Sequence, residues 1–545
     1  MVLGNPKKID LSISSFDRLR AKNCLFIDKT RFIERFLNES NTVQLIVRQR
    51  RLGKSLNMDM LRCFLTDKED HRDLFTDTYI KSSPVWRQAN SEPVFLFDFK
   101  SLDVQNYKLQ ISEQIYKHLS VYVDPDSLNG YLKHRYESFI NNMAANTEGL
   151  LILTELVYEI TGKRSYILID EYDKLLWDSS GTEEYLEIKA YETRFLSAGL
   201  KGNRYLEKAL LTGVTRVSRE SVLSELNNLQ TYDLFTDNIY VEDFGLSDSE
   251  IDILKNYLAF DKAVVREWYN GIKINGNEIY NIFSVLSYLQ KSRLDNYWGR
   301  SGTIKIIVKM MDEARKEALL RMLGGETIEV YINHRISLEE LNENPGDDVF
   351  YSLLLQTGYL SLEQINMNNM GFIRIPNKEL MNVWKEFVLS QLVKANAKFI
   401  TLFDNIDNLN IYSEDVERFL SDRLSYFDIE STSGKSKTSE KTYHIFVLGL
   451  LSAYEDISYK KPTLSNRESG DGRYDILFER KNYSIIFEFK SVENANKLES
   501  AAEEGLMQIN EKRYYANAPK DKPLIKTAIA FCGKQCSVKS KLHEW

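Results

Sequence analysis

The chain has 545 residues, 28% of them charged and 43% hydrophobic, with a formal net charge of −8. That length exceeds what a single hydrophobic core organises, so several domains are expected, and 9 prolines leave little scope for a long disordered region. The acidic balance excludes a global attraction to polyanions, so any nucleic-acid contact has to come from a local basic surface.

The opening stretch, MVLGNPKKIDLSISS, lacks the continuous apolar core of a signal peptide, and no run of uncharged apolar residues is long enough to span a membrane. A cytoplasmic protein with no membrane segment is the expectation. Cys24 and Cys63 are isolated, and Cys532 and Cys536 are too few for a zinc site, so all four read as free thiols of a reducing compartment.

Short apolar runs then alternate with amphipathic helical stretches: VQLIV at 43–47, VFLFDF at 94–99, YILID at 166–170, ALLTGV at 209–214 and NIYVEDF at 238–244. This alternation predicts an α/β fold with a parallel sheet over 1–246. From 247 to 430 the pattern is mostly helical, as in ARKEALLRML and YSLLLQTGYLSL, and predicts a helical connector or lid. The polar stretch STSGKSKTSEK, 431–441, marks a boundary. Beyond it the pattern predicts a helix at 442–455, strands near 474–478 and 484–490, a helix from about 498 to 515 and a strand at 526–531. That α-β-β-α-β order makes 431–545 a third unit.

The segment RQRRLGKSL, beginning at Arg48, follows an apolar strand and enters a helical stretch. A phosphate-binding loop needs backbone N–H groups at a helix N-terminus, a lysine for the β and γ phosphates and a hydroxyl for Mg²⁺. Gly53, Lys54 and Ser55 supply these parts, with Arg51 beside them, although Arg48 stands where the common pattern has its first glycine. A basic surface turn is the competing reading. The strand YILID ends in Asp170 and Glu171, which places one carboxylate toward the metal shell and the next toward the attacking water as general base. Thr212, at the end of ALLTGV, and Arg216 just beyond are positioned to sense the γ-phosphate and its developing charge.

In the last unit, GRYD at 472–475 precedes IIFEFK at 485–490. A strand period of two puts Glu488 and Lys490 on one face and Ile485, Phe487 and Phe489 on the other, and the short turn ERKN lets Asp475 fold back beside them as a hairpin. Two close carboxylates repel unless a divalent cation neutralises them, and a lysine next to that cation can handle a water or a phosphate. An exposed cross-strand salt bridge is the competing reading.

RQRRLGKSL, together with DKT at 28–30, LIDEYD, LTGVTR, LNNL, WYNGIKI, YNIFS and IPNKE, resembles the AAA-ATPase-like family, a P-loop NTPase fold that implies ATP and Mg²⁺ as cofactors. In that family the first P-loop glycine is usually absent; Gln49 and Ile282 stand where it usually has prolines. YHIFVLGLL, SNRESGDGRYDI, IIFEFK and QINEKRYY are similar to the PD-(D/E)XK nuclease superfamily, a restriction-endonuclease-like fold. That resemblance implies Asp475 and Glu488 as metal ligands and Lys490 as catalytic lysine. Glu440 matches the first-helix acid, Gln508 and Tyr514 the helix-borne polar pair, and Arg473 adjoins Asp475. Jointly the resemblances imply an ATP-regulated, Mg²⁺-dependent nuclease acting on DNA rather than RNA, with self-association compatible. The alternative is a nucleotide-dependent switch whose last domain binds nucleic acid or a protein without cutting.

Overall fold

The computed structural model describes residues 1–215, 223, 226–298, 307, 310–334, 336, 345–393, 406, 408–424, 443–444, 447, 451, 464–533 and 535–545. The chain divides into two compact units, Met1–Thr303 with Glu329–Leu380, and Ile304–Ile328 with Met381–Trp545.

In the first unit the strands are β1 (Val2–Leu3), β2 (Phe26–Ile27), β3 (Val43–Val47), β4 (Val94–Asp98), β5 (Ser165–Asp170), β6 (Leu206–Gly213) and β7 (Leu229–Tyr232). Five of them form one sheet in the order β4-β5-β6-β3-β7, and every pairing in it is parallel. A parallel sheet is covered on both faces, so its strands read as unbroken apolar runs; every residue of β3 and β5 is buried. The order leaves β6 between β3 and β5, and Thr212 lies level with Ile46.

One expected strand is absent. Residues 238–244, NIYVEDF, form turns and bends. The preceding Asp237 explains this, because its Oδ1 accepts from the backbone N–H of Ile239 (2.8 Å) and Tyr240 (2.9 Å) and so takes donors that a ladder would use. The apolar residues of the segment still reach the core, where Tyr240 and Phe244 pack edge-on against Phe32. The fifth strand is instead β7.

Past the sheet, the helix Asp248–Lys255 opens with a capping box in which Ser247 Oγ accepts from Glu250 N and Glu250 accepts from Ser247 N. Lys29 donates to the same glutamate at 2.7 Å. Helices Lys262–Tyr269, Ile282–Lys291, Asp347–Thr357 and Lys378–Val393 follow, interrupted by the short strands β8 (Ile272–Ile274), β9 (Asn277–Ile279), β10 (Ile328–Tyr331), β11 (Ser361–Ile365) and β12 (Met370–Arg374). YSLLLQTGYLSL, which reads as helix, is therefore helix to Thr357 and strand from Ser361.

A buried carboxylate joins these pieces. Glu379 Oε1 accepts from Tyr297 N at 2.6 Å, Trp298 N at 2.7 Å and Ser284 Oγ at 3.0 Å. Burial pushes its carboxyl from 4.5 up to about 7, with the three donors and Arg51 pulling the other way. A folded-state pKa above the unfolded one means that the native protein binds the extra proton, so this contribution to stability is present below about pH 4.5 and is lost as pH rises through about 7. Glu379→Gln should flatten that dependence. Melting temperatures measured from about pH 5 to about pH 8 are expected to fall less steeply for the variant than for the wild type, and parallel curves would contradict the assignment.

The second unit carries β13 (Leu464–Ser469), β14 (Gly472–Glu479), β15 (Ser484–Ser491), β16 (Leu524–Cys532) and β17 (Gln535–His543), hydrogen-bonded in that order. β15 and β16 are parallel, joined through the helix Leu498–Glu511, and the remaining pairs are antiparallel. The expected hairpin, helix and returning strand are all present. Of the expected helix at 442–455, Tyr443, His444, Val447 and Leu451 are helical and the others lie outside the described residues. One sheet face, with Ile485, Phe487, Phe489, Ile525 and Ile529, packs on Tyr412, Val416 and Leu420 of the helix Leu409–Leu424; the other carries the helix Leu498–Glu511. Among the described residues no helix is long and apolar enough to cross a membrane.

Candidate active sites

β3 ends at Val47, and the helix Lys54–Leu65 starts after a loop whose last residue, Gly53, has φ +92°. A Cβ there would meet nothing within 4 Å, so it is the left-handed backbone and not space that calls for glycine. Lys54 is buried and its Nζ donates to the carbonyls of Arg48 (2.8 Å) and Gln49 (2.9 Å). Burial lowers its pKa, and Asp170, Glu171 and Asp173 oppose that shift. Asp170 is the meeting point: its Oδ2 accepts from Ser55 Oγ and its Oδ1 from Thr212 Oγ1, both at 2.5 Å. Glu171, next along, has φ +53°, and burial raises its pKa against the pull of Lys54.

Gly53, Lys54, Ser55 and Glu171 line a cleft of about 540 Å³, together with apolar residues that include Ile9, Leu11 and Phe283. A cleft of this volume, lined by apolar side chains and a few polar groups, suits a nucleotide. Ser55 and Asp170 offer only oxygen donors, the set that suits a hard divalent cation retaining several waters. Arg51 lines the cleft, donates to the Tyr297 carbonyl and lies 4.3 Å from the ring centroid of Phe283, another lining residue. Arg216 lies outside the described residues.

Arg48 turns inward. Its guanidinium pairs with Asp237 and donates to the carbonyls of Val47 (2.8 Å) and Tyr232 (3.2 Å), with both side chains of the pair essentially without solvent access. The residue at the first glycine position thus clamps the stem of the loop to the end of β7. Gln49 likewise turns inward, donating to the Leu355 carbonyl at 3.2 Å. Ile282 occupies the first turn of a helix that Asn281 caps, a position proline also suits. Asp173, the third acid of LIDEYD, was not singled out by the sequence reading; it accepts from Val214 N, Thr215 N and Thr215 Oγ1 at 2.8–3.1 Å and fixes the chain just past Thr212.

A buried pair broken from one side leaves an uncompensated charge. Asp237→Ala is therefore expected to cost about 3–5 kcal/mol, read by chemical denaturation. The double replacement Arg48→Met with Asp237→Leu should cost less than the single change, and a larger loss for the double would contradict this account of the loop stem.

In the second unit, β14 and β15 pair with Ile476 opposite Phe487, so the next step of the same register sets Asp475 opposite Glu488. Asp475 Oδ2 accepts from Phe489 N at 2.8 Å. Glu488 is only 3% exposed, which does not suit a solvated surface salt bridge. Gln508 holds the group together. Its amide donates to Glu488 Oε1 (2.6 Å) and to Tyr514 Oη (2.9 Å), and its carbonyl accepts from Lys490 Nζ (2.6 Å), which lies 3.5 Å from Glu488. Gly505 permits this approach, since a Cβ there would sit 2.9 Å from Ala528 Cβ and 3.7 Å from the Cγ atoms of Glu488 and Lys490.

Burial raises the Tyr514 pKa, opposed by the Gln508 hydrogen bond. Arg473 is exposed and, two residues before Asp475 on the same strand, shares its face. Glu440 lies outside the described residues. The sequence reading assigned His444 no role; its Nδ1 lies 3.7 Å from Asp475 Oδ1, and its place one helical turn beyond Glu440 was the available signal. Like charges set opposite each other on a sheet destabilise it, and this pair of carboxylates again offers oxygen donors fitted to a hard divalent cation.

Residues 10–223 match a family model described as a predicted AAA-ATPase, and residues 438–541 match that of the PD-(D/E)XK nuclease superfamily. Over 406 residues, 72% of each chain, the sequence is 26% identical to an uncharacterized protein in the vnfD 5′ region of Azotobacter chroococcum mcd 1. Among solved structures, the Aeropyrum pernix ORC2 protein in its ADPNP–ADP complexes is 10% identical with a TM-score of 0.31, covering 71% of this chain and 96% of its own. Drosophila ORC bound to AT-rich DNA and Cdc6 is also 10% identical, with a TM-score of 0.20 and coverages of 69% and 94%. Likeness at these TM-scores bears on neither ligand nor partner.

Proposed function

From an AAA-ATPase-like domain and a PD-(D/E)XK nuclease superfamily domain in one chain, we propose that this protein is a cytoplasmic, ATP-regulated, Mg²⁺-dependent nuclease that cleaves phosphodiester bonds in DNA. We assign 1–246 to the ATPase, 247–430 to a connector and 431–545 to the nuclease. The observation that carries the reading is Gln508 holding a buried Glu488 and Lys490, with Asp475 opposite Glu488 on the paired strand.

In the nuclease, Asp475 and Glu488 would hold Mg²⁺, which supplies charge neutralisation and a more acidic water when bound. Lys490, steered by Gln508, faces the phosphate and offsets its developing negative charge. Gln508, itself hydrogen-bonded to Tyr514, bridges the lysine and the glutamate and so fixes both side chains. In the ATPase, Lys54 exchanges the two loop carbonyls for the β and γ phosphates, and Ser55 with Asp170 would hold the nucleotide's Mg²⁺. Glu171 orients the attacking water and takes its proton, with Thr212 at the γ-phosphate and Arg216 beyond it. ATP regulates cleavage only if it binds two states of the protein with different affinity.

The test is nicking of supercoiled plasmid by the full-length protein with Mg²⁺, in the presence of ATP, of ADP and of no nucleotide. Asp475→Asn and Lys490→Ala are each expected to lower the rate on the order of 10²–10³-fold while melting close to the wild type, because neither side chain is fully buried. Lys54→Ala should abolish ATP binding and, with it, the difference between nucleotide conditions. Wild-type nicking by the Asp475→Asn/Lys490→Ala double variant, free of contaminating nuclease, would turn the domain into a binding module; equal rates under all three conditions would remove the regulation.

A further inference from the structure

The helix-bearing face of the second sheet extends well past the catalytic pair. Across β15, β16 and β17 the register aligns Glu488 with Ala528 and Lys539, then Ile486 with Lys526 and Lys541, then Ser484 with Leu524 and His543. Lys526 and Lys541 are therefore direct cross-strand partners on the same face, an arrangement that costs free energy between like charges. Lys526 donates to Asn510 Oδ1 at 2.8 Å, and among the described residues neither lysine is in an ion pair. Burial and then Lys541 lower the pKa of Lys526, with Glu544 the one acid opposing them.

Beside this pair stands a run of rings. Tyr515 lies 4.1 Å from His543 between centroids, with their planes 33° apart, and His543 lies 4.7 Å from Trp545, edge to face. Lys520 Nζ is 5.8 Å from the Trp545 centroid, and Trp545 is 52% exposed. Aromatic faces interleaved with lysines, in a chain of net acidic charge, are the chemistry that holds unpaired nucleotides: bases stack on the rings, and phosphates neutralise lysines that otherwise repel. A duplex keeps its bases stacked on one another and offers the rings nothing to hold.

We propose that Tyr515, His543 and Trp545, with the exposed Lys520 and Lys541 next to the buried Lys526, form a platform for a single-stranded stretch of nucleic acid leading to the catalytic site. From Glu488 the platform is two strands across and four residues along β16, about 10 Å and about 13 Å. Its place as part of the substrate path rests on the nuclease reading; its binding of single strands does not.

Fluorescence anisotropy of the full-length protein in EDTA, where no metal-dependent cutting intervenes, separates the two. Fluorescein-labelled oligo(dT), oligo(rU) and a blunt duplex of equal length are the probes. The expected result is tighter binding of at least one single strand than of the duplex, the dT and rU arms telling DNA from RNA. Trp545→Ala and Lys541→Glu, both at exposed positions, should each weaken it by about 10-fold. Unchanged affinity in both variants, or a duplex bound at least as tightly as both single strands, would overturn the platform. A wild type that binds oligo(dT) through these residues yet cuts nothing with Mg²⁺ would leave the platform standing and remove the nuclease.

Discussion

The first unit depends on a single carboxylate whose two oxygens are shared between two chain segments. Asp170 ends β5, Ser55 begins a helix after β3, and Thr212 lies near the end of β6, the strand between those two. Because the sheet is parallel, the C-terminal ends of its strands open on one side, where ligands of such sheets bind. The hydroxyls that Asp170 gathers are thus set where the loop at 48–53 and Glu171 also emerge. Two further buried acids stabilise the surroundings: Asp237 pairs with Arg48 at the loop stem, and Asp173 takes three donors just past Thr212. Each removes a degree of freedom from a loop that would otherwise have to be ordered by the ligand, at an entropic cost.

The second unit reaches a similar end by different means. Here the carboxylates oppose each other across a hairpin, and an amide, Gln508, bridges an acid and a lysine that themselves lie 3.5 Å apart. The mixed sheet allows this because β15 is paired antiparallel on one side and parallel on the other, so the helix Leu498–Glu511 crosses above Glu488 and Lys490. The close approach at Gly505 makes that crossing sterically feasible.

What the sequence discloses follows the range of each interaction. Strands β3, β4, β5 and β6 were legible because continuous apolar runs are a local property, as were the alternating faces of β15. The segment at 238–244 misled for a related reason: its apolar residues are buried as a strand's would be, but Asp237, a single acceptor just before it, takes the backbone donors. β7 is only four residues, LQTY, and β17 alternates polar residues along a sheet edge, so neither gives a strong apolar signal. Arg48 was readable as an absent glycine but not as half of a buried pair, since its partner is 189 positions away. Gln508, by contrast, was singled out through family resemblance, and in the fold it hydrogen-bonds Glu488, Lys490 and Tyr514.

We propose that Asp170 and Ser55 form the cation site through which nucleotide is held. Its most direct test is the affinity of the full-length protein for ATP, measured calorimetrically with Mg²⁺ and again in EDTA, for the wild type and Asp170→Asn. The wild type is expected to bind ATP more tightly with Mg²⁺, and the variant to bind equally in both conditions, because the neutral amide keeps the shape of the site but loses the charge that retains the cation. An undiminished Mg²⁺ enhancement in Asp170→Asn would contradict the account.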